Sequence, residues 1–293
     1  MTDFAVHLPE SPVIAFPGPR QPIRVAGAKP LLRKLAVCLP DWRAEPIEAD
    51  EVDEAEITVE RTKQGYLIRC ALFSDGAVRS NRTVYAAGAV AGALTSLYVA
   101  QVEDTLLLHA AATVSKEGLL IFLGDTLAGK STLALQIASD GRRIFADDRL
   151  AIRRKGAGRF ECLSLGVAAK ARLPLPPACG AAFADFVETH CAMDSKTVAH
   201  LTLPAEIMAP LGETAPARAL IVLDRRTEPT TASMAPLSAS EILRDTLPKC
   251  LPSELSSSRL LQQAAELARA LPGYRLTFSD SGAASNLLRE SFP

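Results

Sequence analysis

Length, composition and charge exclude several classes of protein before any motif is considered. The chain has 293 residues, enough for one large domain or two modest ones with a buried core. Its 32 basic and 33 acidic residues nearly cancel, so no overall field favours nucleic acid or an anionic membrane as a partner. Its six cysteines form no C-x-x-C pair, which indicates reduced thiols and argues against a zinc site.

The amino terminus and the most apolar run bear on localisation. Residues Met1 to Pro9 carry an early acid and a proline instead of a basic stretch followed by an apolar core, so no secretory signal is predicted. The run Ala86 to Ala100 has 15 residues, too few to span a bilayer, and is typical of a buried helix. We therefore expect a cytoplasmic protein with no membrane partner; whether it forms a homo-oligomer is left open by the sequence.

The first hundred residues predict a small α+β module. Residues 8 to 47 contain many prolines, which disfavour long regular elements. The apolar pieces on either side of a turn at Lys63 to Gly65 predict a hairpin, and Thr83 to Gln101 predicts a helix. We assign residues 1–104 to this module and residues 105–293 to a second domain.

The second domain begins with a predicted hairpin. Leu106 to Val114 is typical of a strand, and a tight turn follows at Ser115 to Gly118. With a two-residue loop Ser115 pairs with Gly118, and counting outward brings His109 opposite Gly124; a three-residue loop would bring it opposite the next residue.

A phosphate-binding motif, G-x-x-x-x-G-K-S/T, follows the hairpin. Five apolar residues from Leu119 to Leu123 predict a buried strand, and an amphipathic helix is predicted after the loop. Backbone N–H groups of such a loop cradle phosphates, the lysine adds charge, and the hydroxyl of the serine ligates Mg²⁺. The predicted nucleotide-binding residues are Gly124, Asp125, Thr126, Leu127, Ala128, Gly129, Lys130, Ser131 and Thr132.

Two aspartates follow at the end of the next predicted strand. The helix is expected to end near Gly141, and Arg143 to Ala146 predicts a strand that runs into Asp147 and Asp148. A strand, a crossover helix and a second strand form a βαβ unit, whose strands are parallel and share their carboxyl edge. The phosphate loop, the aspartates and His109 are therefore predicted to meet at that edge.

Further elements are predicted along the remaining chain. A hairpin is expected around Lys155 to Gly158. The later elements are a strand at Ala219 to Asp224, helices near Ser238 to Thr246 and Ser256 to Ala270, a strand at Tyr274 to Phe278, and a closing helix near Gly282 to Glu290.

These residues resemble the bacterial HPr serine kinase/phosphorylases and their shorter relatives. The resemblance rests on His109, on the loop with Lys130 21 residues after the histidine, and on the acids 17 and 18 residues past the lysine. It implies a P-loop kinase domain whose nucleotide site is similar to that of phosphoenolpyruvate carboxykinase. It also implies that Asp147 is the general base, that Asp148 is a Mg²⁺ ligand or its partner, and that His109 is a supporting group.

Departures from the family pattern refine these expectations. Leu127 stands where the family usually has glycine, and Glu161 stands at the place of a metal-ligating acid. The metal ligands that the resemblance implies are thus Ser131, Asp148 and Glu161. The segments that carry protein-substrate recognition in the family have no clear counterpart, which favours an acceptor other than HPr.

The sequence therefore predicts an ATP- and Mg²⁺-dependent kinase that phosphorylates a hydroxyl, most plausibly a serine of a protein or peptide. Two alternatives remain open at this point: a small-molecule kinase, and a nucleotide-binding regulator without transfer activity. No L-S-G-G-Q or N-K-x-D segment is present, which disfavours ABC-type ATPases and GTPases.

Overall fold

The computed structural model describes residues 13–47, 55–156, 158–176 and 179–293. The chain forms two compact units, and the boundary between them falls after Glu103. The short segment Pro252–Glu254 belongs to the first unit, and the rest of the chain from Asp104 onward forms the second. Residues 1–12, on which the expectation of no secretory signal rests, lie outside the described residues.

The first unit is a mixed sheet with two helices. Its elements are β1 (Val13–Phe16), β2 (Ile23–Ala26), α1 (Leu32–Cys38), β3 (Glu45–Ile47), β4 (Ile57–Thr62), β5 (Gly65–Arg69), β6 (Ala77–Ser80) and α2 (Thr83–Ala100). The strands lie in the order β3-β1-β2-β4-β5-β6. Thr62 pairs with Gly65 across the β4–β5 turn, as the hairpin prediction requires. The elements before Glu45 are short, consistent with the many prolines there.

Helix α2 is longer than the apolar run suggested. It has 18 residues, and by length and composition it is long and apolar enough to cross a membrane, so the expectation that it is too short is wrong. Within the protein 56% of this segment is buried, as in a helix that packs into a core. A cytoplasmic location stays a prediction.

The second unit contains the phosphate-loop motif and two further sheets. Its elements are β7 (Thr105–Leu108), β8 (Ala111–Ser115), β9 (Gly118–Leu123), α3 (Lys130–Ser139), β10 (Ile144–Ala146), β11 (Leu150–Arg154), β12 (Phe160–Leu163), β13 (Ala169–Arg172), α4 (Ala181–His190), β14 (Cys191–Asp194), β15 (Val198–Leu201), β16 (Thr214–Arg225), β17 (Ser233–Leu237), α5 (Ala239–Thr246), α6 (Ser257–Ala270), β18 (Gly273–Phe278) and α7 (Ser281–Ser291). The predicted elements after Lys155 all occur within a few residues of their expected bounds.

The large sheet runs in the order β10-β8-β9-β16-β12-β11-β7, with β18 parallel to β16 and β17 paired to β18. A separate three-stranded sheet has the order β13-β15-β14. Strand β16 is parallel to β9, so both strands end at the edge that carries the phosphate loop. The chain therefore has a mixed α/β fold.

Both faces of the large sheet are covered, which explains the unbroken apolar run in β9. Leu120 and Phe122 pack with α3, α4 and α7 on one face. Leu119, Ile121 and Leu123 pack with α5 and α6 on the other. Alternating side chains of a strand point to opposite faces, so a strand covered on both sides must be apolar at every position.

The strand predicted across Leu106 to Val114 is two strands. Ser115 pairs with Gly118 as predicted, but the ladder with β9 ends at Ala111 and Phe122. Before that point the chain belongs to β7, which pairs antiparallel with β11. His109 lies between the two strands, and its backbone N–H donates to the carbonyl of Lys249 at 2.7 Å. The predicted pairing of His109 with Gly124 is therefore wrong, because the chain changes partner strand there.

The predicted βαβ unit also needs one correction. Strand β10 pairs antiparallel with β8, and β8 pairs antiparallel with β9. β10 thus runs parallel to β9 as expected, but β8 lies between them. The crossover helix α3 spans that extra strand, and the aspartates after β10 still arrive at the edge where β9 ends.

Candidate functional site

The phosphate loop joins the end of β9 to the start of α3. A side chain at Gly124 would place its Cβ 2.8 Å from the Cβ of Ala128, so the loop has no room for one. Gly129 has a φ of +94°, a backbone conformation that glycine adopts without strain. The ammonium of Lys130 donates to the carbonyls of Gly124 at 2.8 Å and Asp125 at 3.3 Å. The loop therefore curls around its own lysine.

Leu127 is the unusual residue of this loop. It has a φ of +74°, which costs a side-chain-bearing residue on the order of 1 kcal/mol or more. Its side chain is 63% exposed, so this cost is not offset by burial. The family resemblance implied a glycine at this position, and glycine adopts a positive φ without strain.

Asp147 lies beneath the loop, almost fully buried at 1% exposure. One carboxylate oxygen accepts from the Ser131 hydroxyl at 2.7 Å, and the other accepts from the backbone N–H of Lys170 at 2.9 Å. Burial and the neighbouring charge of Asp148 raise the pKa of Asp147, although these hydrogen bonds oppose the shift. The side chains of Ser131 and Asp147 place two oxygen atoms together, and oxygen atoms are the ligands that Mg²⁺ prefers in proteins.

Asp148 points to a different environment. Its backbone φ is +69°, and its side chain keeps 37% exposure. One oxygen lies 3.1 Å from Nε2 of His109, and the other lies 2.8 Å from the ammonium of Lys170. Burial alone would raise the pKa of Asp148, but the His109 hydrogen bond and the Lys170 charge hold it below the ordinary value. Asp148 is therefore a charged, reachable carboxylate.

A cavity of about 320 Å³ connects these groups. Its lining combines the phosphate loop with basic, acidic and apolar side chains: His109, Asp125, Thr126, Leu127, Gly129, Lys130, Ser131, Thr132, Asp148, Lys170, Arg172, Pro174, Pro176, Val198 and Arg225. Four of these side chains are lysine or arginine and two are acids. Such a surplus of cations in a concave site favours an anionic ligand such as a polyphosphate.

Burial and a neighbouring cation perturb the lysine of the loop. The side chain of Lys130 is buried, with 7% exposure. Burial and the nearby charge of Lys249 lower the pKa of Lys130, while the acidic groups around it act in the opposite direction. A bound polyanion would relieve this repulsion, so the site is preorganised for negative charge.

Glu161 is not brought to this cavity. It lies on β12 opposite Arg153 of β11 and is 7% exposed. Its carboxylate accepts from Arg153 at 2.7 Å and forms an ion pair with Lys155. These cations compete for the oxygens that a metal would need. The structure thus separates Glu161 from Ser131 and Asp148, with which it was grouped.

Four basic residues near the site were not among the predicted site residues. Lys170 and Arg172 alternate along β13 and both line the cavity; their period-two spacing was the available signal. Arg225 ends the apolar strand β16, which is parallel to β9, so the same carboxyl-edge rule could have found it. Lys249 pairs with Asp125 from a distant part of the chain, and no local pattern indicates it.

Comparisons with known proteins add little to this geometry. No family model matches the chain, and no curated protein matches its sequence. Among solved structures, the HPr(Ser) kinase/phosphatase from Coxiella burnetii is similar with a TM-score of 0.33 and 10% identity. The match covers 63% of this chain and 95% of that protein. A likeness of this size carries no argument about function, so the assignment below rests on the residues of the site.

The opposite pKa shifts of the two aspartates predict opposite effects on stability. Asp147 has a raised pKa, so the folded protein holds its proton more tightly than the unfolded chain and loses stability as pH rises above about 4. Asp147→Asn removes this loss, and an asparagine can still accept from the Lys170 N–H and donate to Ser131. We expect its melting temperature, measured without nucleotide or Mg²⁺, to exceed that of the wild type increasingly as pH rises above the ordinary aspartate pKa of about 4.

Asp148→Asn is the matched control for this measurement. Because the pKa of Asp148 is lowered, its charge stabilises the fold above the ordinary aspartate pKa, and that contribution disappears as pH falls. The variant should be less stable than the wild type at neutral pH and approach it in acid. Shifts of equal sign in the two variants would contradict the assigned environments.

Proposed function

We propose that this protein is a kinase that transfers a phosphoryl group from ATP to a hydroxyl, most plausibly a serine of a protein or peptide. The observation that carries the proposal is the shared cavity. It holds the phosphate loop with Lys130 on one side and the partly exposed carboxylate of Asp148 on the other. Simple binding needs only the first group; phosphoryl transfer to a hydroxyl or to water also needs a base within reach of the acceptor.

We assign the roles of the two aspartates in the reverse order to that implied by the family resemblance. Asp147 is almost fully buried and accepts the Ser131 hydroxyl, which favours a place on the Mg²⁺ side of the site. Asp148 lines the cavity and its side chain is 37% exposed, which favours the role of general base. Exposure decides this choice, because a base must touch its substrate.

Mg²⁺ fits the oxygen donors present. Ser131 and Asp147 would hold it, and the phosphates of the donor would complete its shell, since Mg²⁺ commonly takes only one or two carboxylates from a protein. Within the described ranges no group of three or more His, Cys, Asp and Glu residues gathers to hold a metal alone. When bound, the ion would neutralise charge on the transferring phosphates.

In the proposed reaction Asp148 accepts the proton of the acceptor hydroxyl as its oxygen bonds to the γ-phosphorus. The bond from that phosphorus to the bridging oxygen breaks, and ADP leaves with the electron pair. Lys130 lies against the donor phosphates, and His109 orients the carboxylate of Asp148. Lys170 contacts both aspartates and fixes their separation.

Intact-mass measurement of offered acceptors tests this function. Incubation with ATP and Mg²⁺ should add roughly 80 Da, one phosphoryl group, to serine-containing peptides or proteins and nothing to their serine-to-alanine counterparts. Labelling of metabolites alone would support a small-molecule kinase instead. Donor binding with no labelled acceptor in a whole lysate, with ATP or pyrophosphate as donor, would support a nucleotide-binding regulator and overturn the transfer proposal.

A further inference from the structure

Lys249 contacts both halves of the candidate site, although it lies 119 residues beyond Lys130 in the chain. It ends the short helical turn Leu247–Lys249 that follows α5. Its ammonium forms an ion pair with the carboxylate of Asp125 in the phosphate loop. Its backbone carbonyl accepts the N–H of His109 at 2.7 Å. One residue thus connects the loop with the histidine that orients Asp148.

The backbone around Lys249 is fixed independently of its side chain. The N–H of Leu251 donates to the carbonyl of Leu107 at 2.8 Å, and Cys250 forms an antiparallel bridge with Leu108. The segment around Lys249 therefore pairs with the edge of β7 that faces away from β11. A substitution that removes only the ammonium of Lys249 should leave the carbonyl in place for His109.

The positive charge of Lys249 neutralises a negative charge in the phosphate loop. The side chain of Asp125 is 90% exposed, whereas that of Lys249 is only 12% exposed. The Lys249 hydrogen bond and charge lower the pKa of Asp125, so this acid is ionised beside the phosphate cradle. An unmasked carboxylate there would repel the phosphates of the donor, and a paired one would not. Lys130 also bonds to the carbonyl of Asp125, so both ammonium groups lie against the same loop residue.

We propose that Lys249 is a positioning residue that masks the charge of Asp125 within the phosphate loop while its carbonyl fixes His109. The inference rests on the proposed function, because it assumes that the loop binds the phosphates of a donor. Lys249 acts through Asp125 and His109, and its contacts are with protein groups. The loop motif therefore depends on a cation supplied from outside its own sequence.

A double-mutant cycle on donor binding tests this role. Binding of ATP with Mg²⁺ to the full chain is measured by calorimetry for Lys249→Met, Asp125→Asn and the double variant. Methionine keeps most of the buried stem and removes the charge. We expect Lys249→Met to weaken binding about tenfold, and the double variant to bind more tightly than Lys249→Met and as tightly as Asp125→Asn.

The rescue separates masking from other roles. A double variant as weak as Lys249→Met would mean that Lys249 contacts the donor itself, and unchanged binding by Lys249→Met would mean that it does nothing; either result overturns the inference. Asp125→Asn loses the same ion pair, so damage from a lost tether would appear there too. Lys155→Ala, which breaks the pair with Glu161 away from the cavity, is the matched control. If the wild type binds neither ATP nor pyrophosphate, the proposed function itself fails.

Discussion

Asp148→Asn should slow phosphoryl transfer by about 10² to 10⁴ while the affinity for ATP with Mg²⁺ changes little. Asparagine cannot accept the proton of the acceptor hydroxyl, and this loss corresponds to roughly 3 to 5 kcal/mol of transition-state stabilisation. Donor binding should persist because Lys130 and Ser131, which lie against the phosphates, do not contact Asp148. The measurement is single-turnover transfer from radiolabelled ATP, with donor affinity determined separately by calorimetry.

Asp147→Asn supplies the comparison that assigns the base. In the proposed arrangement this substitution should weaken the effect of Mg²⁺ on donor binding, because Asp147 and the Ser131 hydroxyl that it contacts would hold the ion together. If Asp148→Asn transfers at the wild-type rate while Asp147→Asn does not, the roles are those implied by the family resemblance. Both substitutions keep the shape of the aspartate side chain, and melting without ligand measures their effects on stability, so impaired folding can be separated from impaired chemistry.

The convergence of the site was predictable from local patterns. The run from Leu119 to Leu123, the glycine-bounded loop and the strand before Asp147 define a βαβ unit, whose carboxyl ends share one edge whatever lies between its strands. The intervening β8 therefore did not disturb the prediction that the phosphate loop and the aspartates meet at this edge, where Ser131 contacts Asp147. Their 2.7 Å contact follows from the parallel direction of the two strands in a βαβ unit, and the order of strand, helix and strand is predicted by the periodicity of apolar residues.

The pairing of His109 was not predictable from that reasoning. Counting outward from the turn assumes one continuous strand. The chain instead pairs with β11 up to Leu108 and with β9 only from Ala111 onward. The histidine still lies at the site, because Lys249 holds its backbone and Asp148 its ring. The contact with Lys249 joins segments over a hundred residues apart, and no periodic pattern encodes it.

The roles of the aspartates depend on burial, which adjacent residues in a sequence do not reveal. Asp147 and Asp148 have the same side chain, yet one is buried beneath the loop and the other lines the cavity. The left-handed backbone at Asp148 turns its side chain away from that of its neighbour. The basic residues of β13 add the second difference, because Lys170 offers its N–H to one carboxylate and its ammonium to the other.

Lys130→Ala should weaken the binding of ATP with Mg²⁺ by about 10- to 100-fold, the range expected when a charge-assisted hydrogen bond to a phosphate is lost. The ammonium is buried among the loop carbonyls, where burial and Lys249 lower its pKa and make its charge costly in the free protein. Removing it should therefore not destabilise the fold through lost charge. A thermal-shift titration with ATP and Mg²⁺ measures both properties at once.

Lys116→Ala is the control for this titration, since it removes the same charge from the exposed turn between β8 and β9, outside the cavity. It should show the wild-type shift. A Lys130→Ala protein that melts normally yet shows the full shift with ATP would mean that Lys130 is not a ligand of the donor phosphates. In that case the cations of β13 and β16, Lys170, Arg172 and Arg225, become the remaining phosphate ligands, because they line the same cavity without belonging to the loop.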